Sequence, residues 1–185
     1  NATAPANPLL APWTGPYGGV PPFDRAKVEY LKPALEAGMA EALAEIDRIA
    51  ANPEAPTFEN TIAAMERGGR MLDRVITVYG IYSSTLNDEA VQAVEREMAP
   101  KLAAFGDRIT QNEALFKRIA AVYETREKAG LTPEQQRLVW LQYTDFVRSG
   151  AKLDPKAKQR LSEINQQLAG LYTKFGQNVL ADENN

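Results

Sequence analysis

The segment DPKAKQRLSEINQQLAGLYTKFGQNVLA, residues 154–181, decides the fold class. Asp154 suits a helix N-cap, and Pro155 suits the first helical position, where its missing N–H costs nothing. Leu161, Ile164, Leu168, Leu171, Phe175 and Val179 then recur at steps of three or four, which places them on one helix face. A helix of this length, roughly 40 Å at ~1.5 Å per residue, cannot bury such a stripe alone. The pattern predicts a spine against which the other helices are arranged. Gly170 and Gly176 weaken it, so tertiary packing is expected to offset their cost. The polar run Asp182, Glu183, Asn184, Asn185 closes the chain. That end reads as a cut, with apolar surface left for an absent remainder.

Outward from this segment the same period repeats. Thr132-Pro133-Glu134-Gln135 forms a capping box with proline at N1, and its helix runs to Ser149 with Gly150 as terminator. Leu115, Ile119 and Val122 mark a helix over 113–128, with Gly130 beyond its end. Val91, Val94, Met98, Leu102 and Phe105 mark another over 89–109, with a kink expected at Pro100. Thr57 caps a helix to Leu86 with Phe58, Ile62, Met65, Leu72, Val75 and Tyr79 inward. Gly68 and Gly69 inside it predict a bend or a close backbone approach. Leu31, Leu35, Met39, Leu43, Ile46 and Ile49 mark a helix over 27–51, with Pro33 ending a first turn or kinking it. Residues 1–22 carry six prolines (5, 8, 12, 16, 21 and 22) and Gly15, Gly18 and Gly19, which rule out a helix. Leu9, Leu10, Trp13, Tyr17 and Phe23 predict an extended arm pinned to the helical body by its aromatics. The expectation is all-α: five to six long, partly kinked antiparallel helices over 27–185, and an extended Pro/Gly-rich arm over 1–26.

The chain of 185 residues has a formal net charge of −3, which argues against a nucleic-acid footprint. No apolar run approaches the ~20 residues of a membrane span. Neither cysteine nor histidine occurs. This excludes disulfides, thiolate chemistry, a Ser-His-Asp triad and a His-Glu-x-x-His zinc site. The start at Asn1 and the Ala/Pro-rich lead fit a mature exported protein, so the periplasm is the expected compartment, with a trimmed cytosolic chain as the alternative.

Candidate chemistry is sparse. Glu95 and Glu97 flank Arg96, and Glu59 and Glu66 share a helix. Such carboxylates can serve an oxygen-only metal site or acid–base pair. The favoured reading is a solvated face with ion pairs such as Glu124 with Lys128. Gly15-Pro16-Tyr17-Gly18-Gly19 lacks the Gly-Lys-Ser/Thr ending of a phosphate loop. Tyr79, Tyr82, Trp140, Tyr143, Phe146 and Tyr172 read mostly as core. Tyr82 with Ser83-Ser84-Thr85, beside the Asn87-Asp88 turn, sits where a cleft can form. No residue is assigned as catalytic or metal-ligating, and no substrate-binding residue is named.

Several ordered segments resemble one family. They are Pro53-Glu54-Ala55-Pro56-Thr57-Phe58-Glu59-Asn60-Thr61-Ile62, Leu72-Asp73-Arg74-Val75, Asn87-Asp88-Glu89, Gly150-Ala151-Lys152-Leu153, Ile164-Asn165-Gln166-Gln167-Leu168 and Phe175-Gly176-Gln177-Asn178-Val179-Leu180. Together they resemble the N-terminal region of the thimet oligopeptidase family of zinc metallopeptidases. Asn7-Pro8-Leu9-Leu10 and Pro21-Pro22-Phe23-Asp24 tilt the resemblance toward its bacterial peptidyl-dipeptidase (dipeptidyl carboxypeptidase) branch, with the oligopeptidase A type as alternative. The resemblance implies a zinc enzyme that removes C-terminal dipeptides from short peptides bound in a channel between two helical lobes. Zinc, its ligands and the substrate-binding groups are then expected in an absent catalytic part. This segment is the non-catalytic lobe that walls the channel, inactive alone, with short peptides and the missing lobe as partners. A stand-alone helical interaction module and a carboxylate enzyme are the competing readings.

Overall fold

The computed structural model describes residues 7–183; Pro5 of the expected arm and the closing Asn184 and Asn185 lie outside them. Helices α1 (Val28–Ala50), α2 (Ala63–Arg67), α3 (Arg70–Thr85), α4 (Glu89–Thr110), α5 (Glu113–Thr125), α6 (Pro133–Arg148) and α7 (Pro155–Glu183) carry the fold, and a π-helical turn at Phe58–Ile62 leads into α2. The fold is all-α, a helical bundle. Among the described residues the nearest thing to a strand is one antiparallel bridge, Thr14 to Val20.

The helix starts follow local chemistry. The Thr57 hydroxyl accepts from Asn60 N, and Asp88 Oδ1 accepts from Val91 N. Asn112 Oδ1 accepts from Leu115 N, Thr132 Oγ1 from Gln135 N, and Asp154 Oδ1 from Ala157 N. Each bond satisfies an amide that the helix leaves open. Helices α1 and α4 continue through Pro33 and Pro100. The helix expected over 57–86 is broken in two. Gly68 is extended, Gly69 takes a left-handed φ of 71°, and α3 starts anew. The cause is a side chain, not a backbone: Glu45 Oε2 of α1 accepts from Gly69 N at 2.6 Å. A carboxylate is well placed there, at the positive end of α3.

Two cores form, and α1 runs through both. Its first half places Leu31, Ala34, Leu35 and Met39 against Leu72, Val75 and Val78 of α3 and Met98 of α4. Its last turns place Ile46 and Ile49 beside Ile62, Leu115, Ile119, Val122, Val139 and Phe146. Gly38 allows the tight α1–α3 approach, since a Cβ there would lie 3.1 Å from Leu72 Cα. Helices α1 and α3 run antiparallel, with Glu45 beside Gly69 and the Tyr82 hydroxyl donating to Ala26 O. Helices α1 and α4 run parallel, since Lys32 meets Glu97, Glu36 meets Lys101 and Asp47 meets Arg108. In the arm, a short 3-10 turn at Pro8–Leu10 sinks Leu9 into the first core, and Trp13 packs partly against it. The aromatic anchoring expected of this arm is only partial, because Tyr17 is fully exposed and Phe23 nearly half exposed.

The expected spine is the largest departure. α7 lies antiparallel along α4, yet its apolar stripe is not core. Leu161 and Ile164 are half-buried, but Leu168, Leu171, Phe175 and Val179 are exposed by 42, 63, 67 and 40%, with Tyr172 beside them at 72%. Polar bonds instead hold α7 to α4: Gln111 to Lys158 O, Asn165 to Asp107, and Arg96 to Gln177. Periodicity reports a face that needs cover, not which element supplies it. A Cβ at Gly170 or Gly176 would meet nothing within 4 Å, so no close approach requires either glycine.

Candidate functional site

Of the cleft expected at Tyr82, Ser83-Ser84-Thr85 and Asn87-Asp88, only Ser83 and Asn87 line the cavity found there, about 470 Å³ between the ends of α3, α4 and α7, while the Tyr82 hydroxyl is turned onto Ala26 O. Tyr79 and Ser83 come from α3, Asn87 from the turn, Glu95 from α4, and Tyr172, Thr173, Gly176, Gln177 and Leu180 from α7. The helical period of α3 sets Tyr79 and Ser83 one turn apart, and the Asp88 cap fixes Asn87 just before α4.

Glu95 is the one carboxylate that lines it. Asn87 Nδ2 lies 3.3 Å from each carboxylate oxygen, and Gln177 Nε2 donates to Oε2 at 3.0 Å. Both amides are fixed in turn: Asn87 Nδ2 donates to Ser83 O, Gln177 Nε2 donates to Gln92 O, and Arg96 Nη1 donates to Gln177 Oε1. Asn87 Oδ1 has no partner, and the Ser83 hydroxyl beside Tyr79 makes no hydrogen bond of good geometry. Burial pushes the Tyr79 phenol above its ordinary value, the Glu95 charge adds to this, and the Ser83 hydroxyl works the other way.

The remaining sequence candidates do not join this cleft. Glu97 pairs with Lys32 at 2.7 Å and Lys101 at 2.9 Å on the surface. Glu59 pairs with Arg67, and Glu66 accepts from Gln142. The expected Glu124–Lys128 pair is absent among the described residues, because α5 ends at Thr125 and Lys128 is off the helix. Tyr143 stacks on Tyr123 with ring centroids 3.9 Å apart, and Trp140 lies under Arg137. The Gly15–Gly19 stretch forms a tight turn in which Gly19 presses on Trp13, and a Cβ there would lie 2.8 Å from Trp13 Cβ. Among the described residues no three acidic side chains gather, and the chain has no histidine or cysteine, so its residues do not fit a zinc site.

The sequence reasoning missed the role of Arg118. Its guanidinium, on α5 and buried, donates to Asn52 O at 2.8 Å, Glu54 O at 2.9 Å and Asn60 Oδ1 at 2.8 Å. Asn60 Oδ1 also accepts from Thr57 N, while its Nδ2 donates to Ala55 O. The motif Pro53–Ile62 is therefore a structural knot. An arginine amid the apolar positions of α5 was the signal available, and only its burial reveals the role.

The helical bundle, without a zinc-binding set of its own, has relatives among peptidases. No protein-family model matches the chain. Dipeptidyl carboxypeptidase of Escherichia coli strain K12 is 37% identical over 175 residues, which cover 95% of this chain and 26% of the relative. Organellar oligopeptidase A of Arabidopsis thaliana is 26% identical over 181 residues, covering 96% of this chain and 22% of the relative. Oligopeptidase A of Escherichia coli strain K12 is 25% identical over 174 residues, 94% of this chain and 25% of the relative. These relatives are metallopeptidases of the thimet oligopeptidase family, and the chain is related to them along nearly its whole length. The chain is more similar to the dipeptidyl carboxypeptidase than to these oligopeptidases A. The chain spans about a quarter of the length of the curated relatives it matches. Among the described residues no helix is long and apolar enough to cross a membrane.

Proposed function

We propose that this chain is the N-terminal, non-catalytic helical lobe of a zinc metallopeptidase of the dipeptidyl carboxypeptidase type, which removes C-terminal dipeptides from short peptides. One observation carries the reading: 37% identity along 95% of this chain with a relative of which it covers 26%. In this reading residues 1–26 are an arm, 27–185 form the lobe, and packed helices wall the substrate channel. Zinc and the groups that bind the peptide belong to other parts of the protein, consistent with a chain that lacks histidine. The uncovered α7 stripe supports a lobe that docks on further protein, since contiguous exposed apolar surface marks interaction sites.

A peptidase assay tests the reading. The 185-residue chain with added zinc is expected to show no turnover, while the product of the whole gene releases dipeptides from free C-termini. Zinc-dependent cleavage by these residues alone would overturn it, and internal cleavage by the whole product would move it to the oligopeptidase A type. The exposed α7 stripe also suits a stand-alone helical interaction module. A reading frame that continues to a His-Glu-x-x-His motif decides for the peptidase, and a stop codon after Asn185 decides for the module.

A further inference from the structure

The cleft around Glu95 contains a charge that no cation balances: among the described residues no lysine or arginine pairs with Glu95. Arg96, its neighbour in sequence, is turned onto Gln177. The two side-chain amide donors of the cleft are already engaged. Asn87 Nδ2 serves Ser83 O and Glu95, and Gln177 Nε2 serves Gln92 O and Glu95. What remains beside them is accepting capacity on the Glu95 carboxylate, which receives only the Asn87 and Gln177 amides. An unbalanced carboxylate suits a donor-rich cation and disfavours an anion. The walls are of another kind: Tyr172 and Leu180 offer apolar surface and Tyr79 an aromatic ring. A long basic side chain combines an apolar stem with a charged head.

Gly176 is an independent sign. It lies inside a continuous 29-residue helix, lines the cleft, and would place a Cβ within 4 Å of nothing. Internal packing therefore does not require a glycine here, although it costs about 1 kcal/mol relative to alanine. What its absent side chain leaves is open room beside Glu95.

We propose that this cleft is a binding site for an arginine side chain of a peptide segment, the guanidinium pairing with Glu95 and the stem lying against Tyr172 and Leu180. Arginine is preferred over lysine because its planar fork carries five donors and can engage a carboxylate through two bonds at once. The site stands on this geometry and does not depend on the peptidase reading.

The test is an amide chemical-shift titration of the 185-residue chain with N-acetyl-arginine amide, and with the neutral isostere N-acetyl-citrulline amide. Saturable shifts are expected at Asn87, Glu95 and 173–180. The citrulline compound should bind at least about tenfold more weakly, and Glu95→Gln should weaken the arginine compound by a similar factor. Gly176→Leu fills the cleft and should abolish binding while leaving the melting temperature unchanged or raised, which separates occupancy from folding. Equal binding of both compounds, no saturable shift, or unchanged affinity in Gly176→Leu would each overturn the site. Repeating the titration on the product of the whole gene separates the sources of the arginine. Retained binding assigns the site to free peptides. Loss of binding with energetic coupling between Glu95 and an arginine of that product assigns it to docking within the chain, and loss without coupling overturns the proposal.

Discussion

Arg118→Ala should be among the most damaging substitutions in the second core. The guanidinium makes three charge-assisted bonds, to Asn52 O, Glu54 O and Asn60 Oδ1, all between 2.8 and 2.9 Å. Such bonds contribute about 1.5–3 kcal/mol each when a charged partner is involved. The simple sum overstates the loss, because Glu54 is exposed and Asn60 only half-buried, so water can reach them in the variant. Arg118 is only 6% exposed, so truncation also leaves a cavity and orphans acceptors on the loop 52–60. A loss of about 3–5 kcal/mol is expected. At about 2–4 °C per kcal/mol for a domain of this size, the melting temperature should fall by roughly 10 °C. Thermal melts by far-ultraviolet circular dichroism measure this directly. Arg118→Lys should fall between, since one ammonium cannot span three acceptors as the fork does. Asn60→Ala should couple with Arg118→Ala by about 1–3 kcal/mol in a double-mutant cycle. A melting temperature for Arg118→Ala within about 2 °C of wild type, or strict additivity with Asn60→Ala, would refute the knot.

The remaining predictions use other parts of the molecule. Gly38→Ala should destabilise by about 1–3 kcal/mol because its Cβ would press on Leu72 at 3.1 Å. Gly170→Ala, whose Cβ meets nothing, should stabilise by about 0.5–1 kcal/mol, and chemical denaturation reads both signs. The Glu97 carboxyl is held below its ordinary value, first by the hydrogen bond from Lys32 and then by that from Lys101. A lowered folded-state value means its stabilisation is full above the ordinary carboxylate range and is lost as pH falls through the folded value. The gap in melting temperature between wild type and Glu97→Gln should therefore close as the pH falls through and below the ordinary carboxylate range. Leu171→Ser with Phe175→Ser should leave the melting temperature nearly unchanged, because both side chains are over 60% exposed. The same pair should reduce binding of an environment-sensitive dye and any concentration-dependent self-association seen by sedimentation.

Read alone, the sequence determined most of the elements, though not the break at Gly68–Gly69, where Glu45 of α1 meets the start of α3. The caps at Thr57, Asp88, Thr132 and Asp154 and the apolar period of each helix depend only on residues a few positions apart. Local chemistry leaves such marks directly in the chain. The ordered motifs likewise carried the resemblance to the peptidase family, and the comparisons bear it out. The cleft was half legible, for Ser83 and Asn87 pointed to a helix end, while Glu95 and Gln177 reached it only through the packing of α4 and α7. Arg118 was invisible as a structural centre, because its three acceptors lie 58–66 residues away along the chain. Tertiary structure alone decided which apolar stripe became core. That of α1 is enclosed by α3 and α4 at one end and by α5 and α6 at the other, while that of α7 faces solvent. Periodicity states that a face favours burial. Whether it is buried depends on what packs there, and that is a property of the whole assembly of helices.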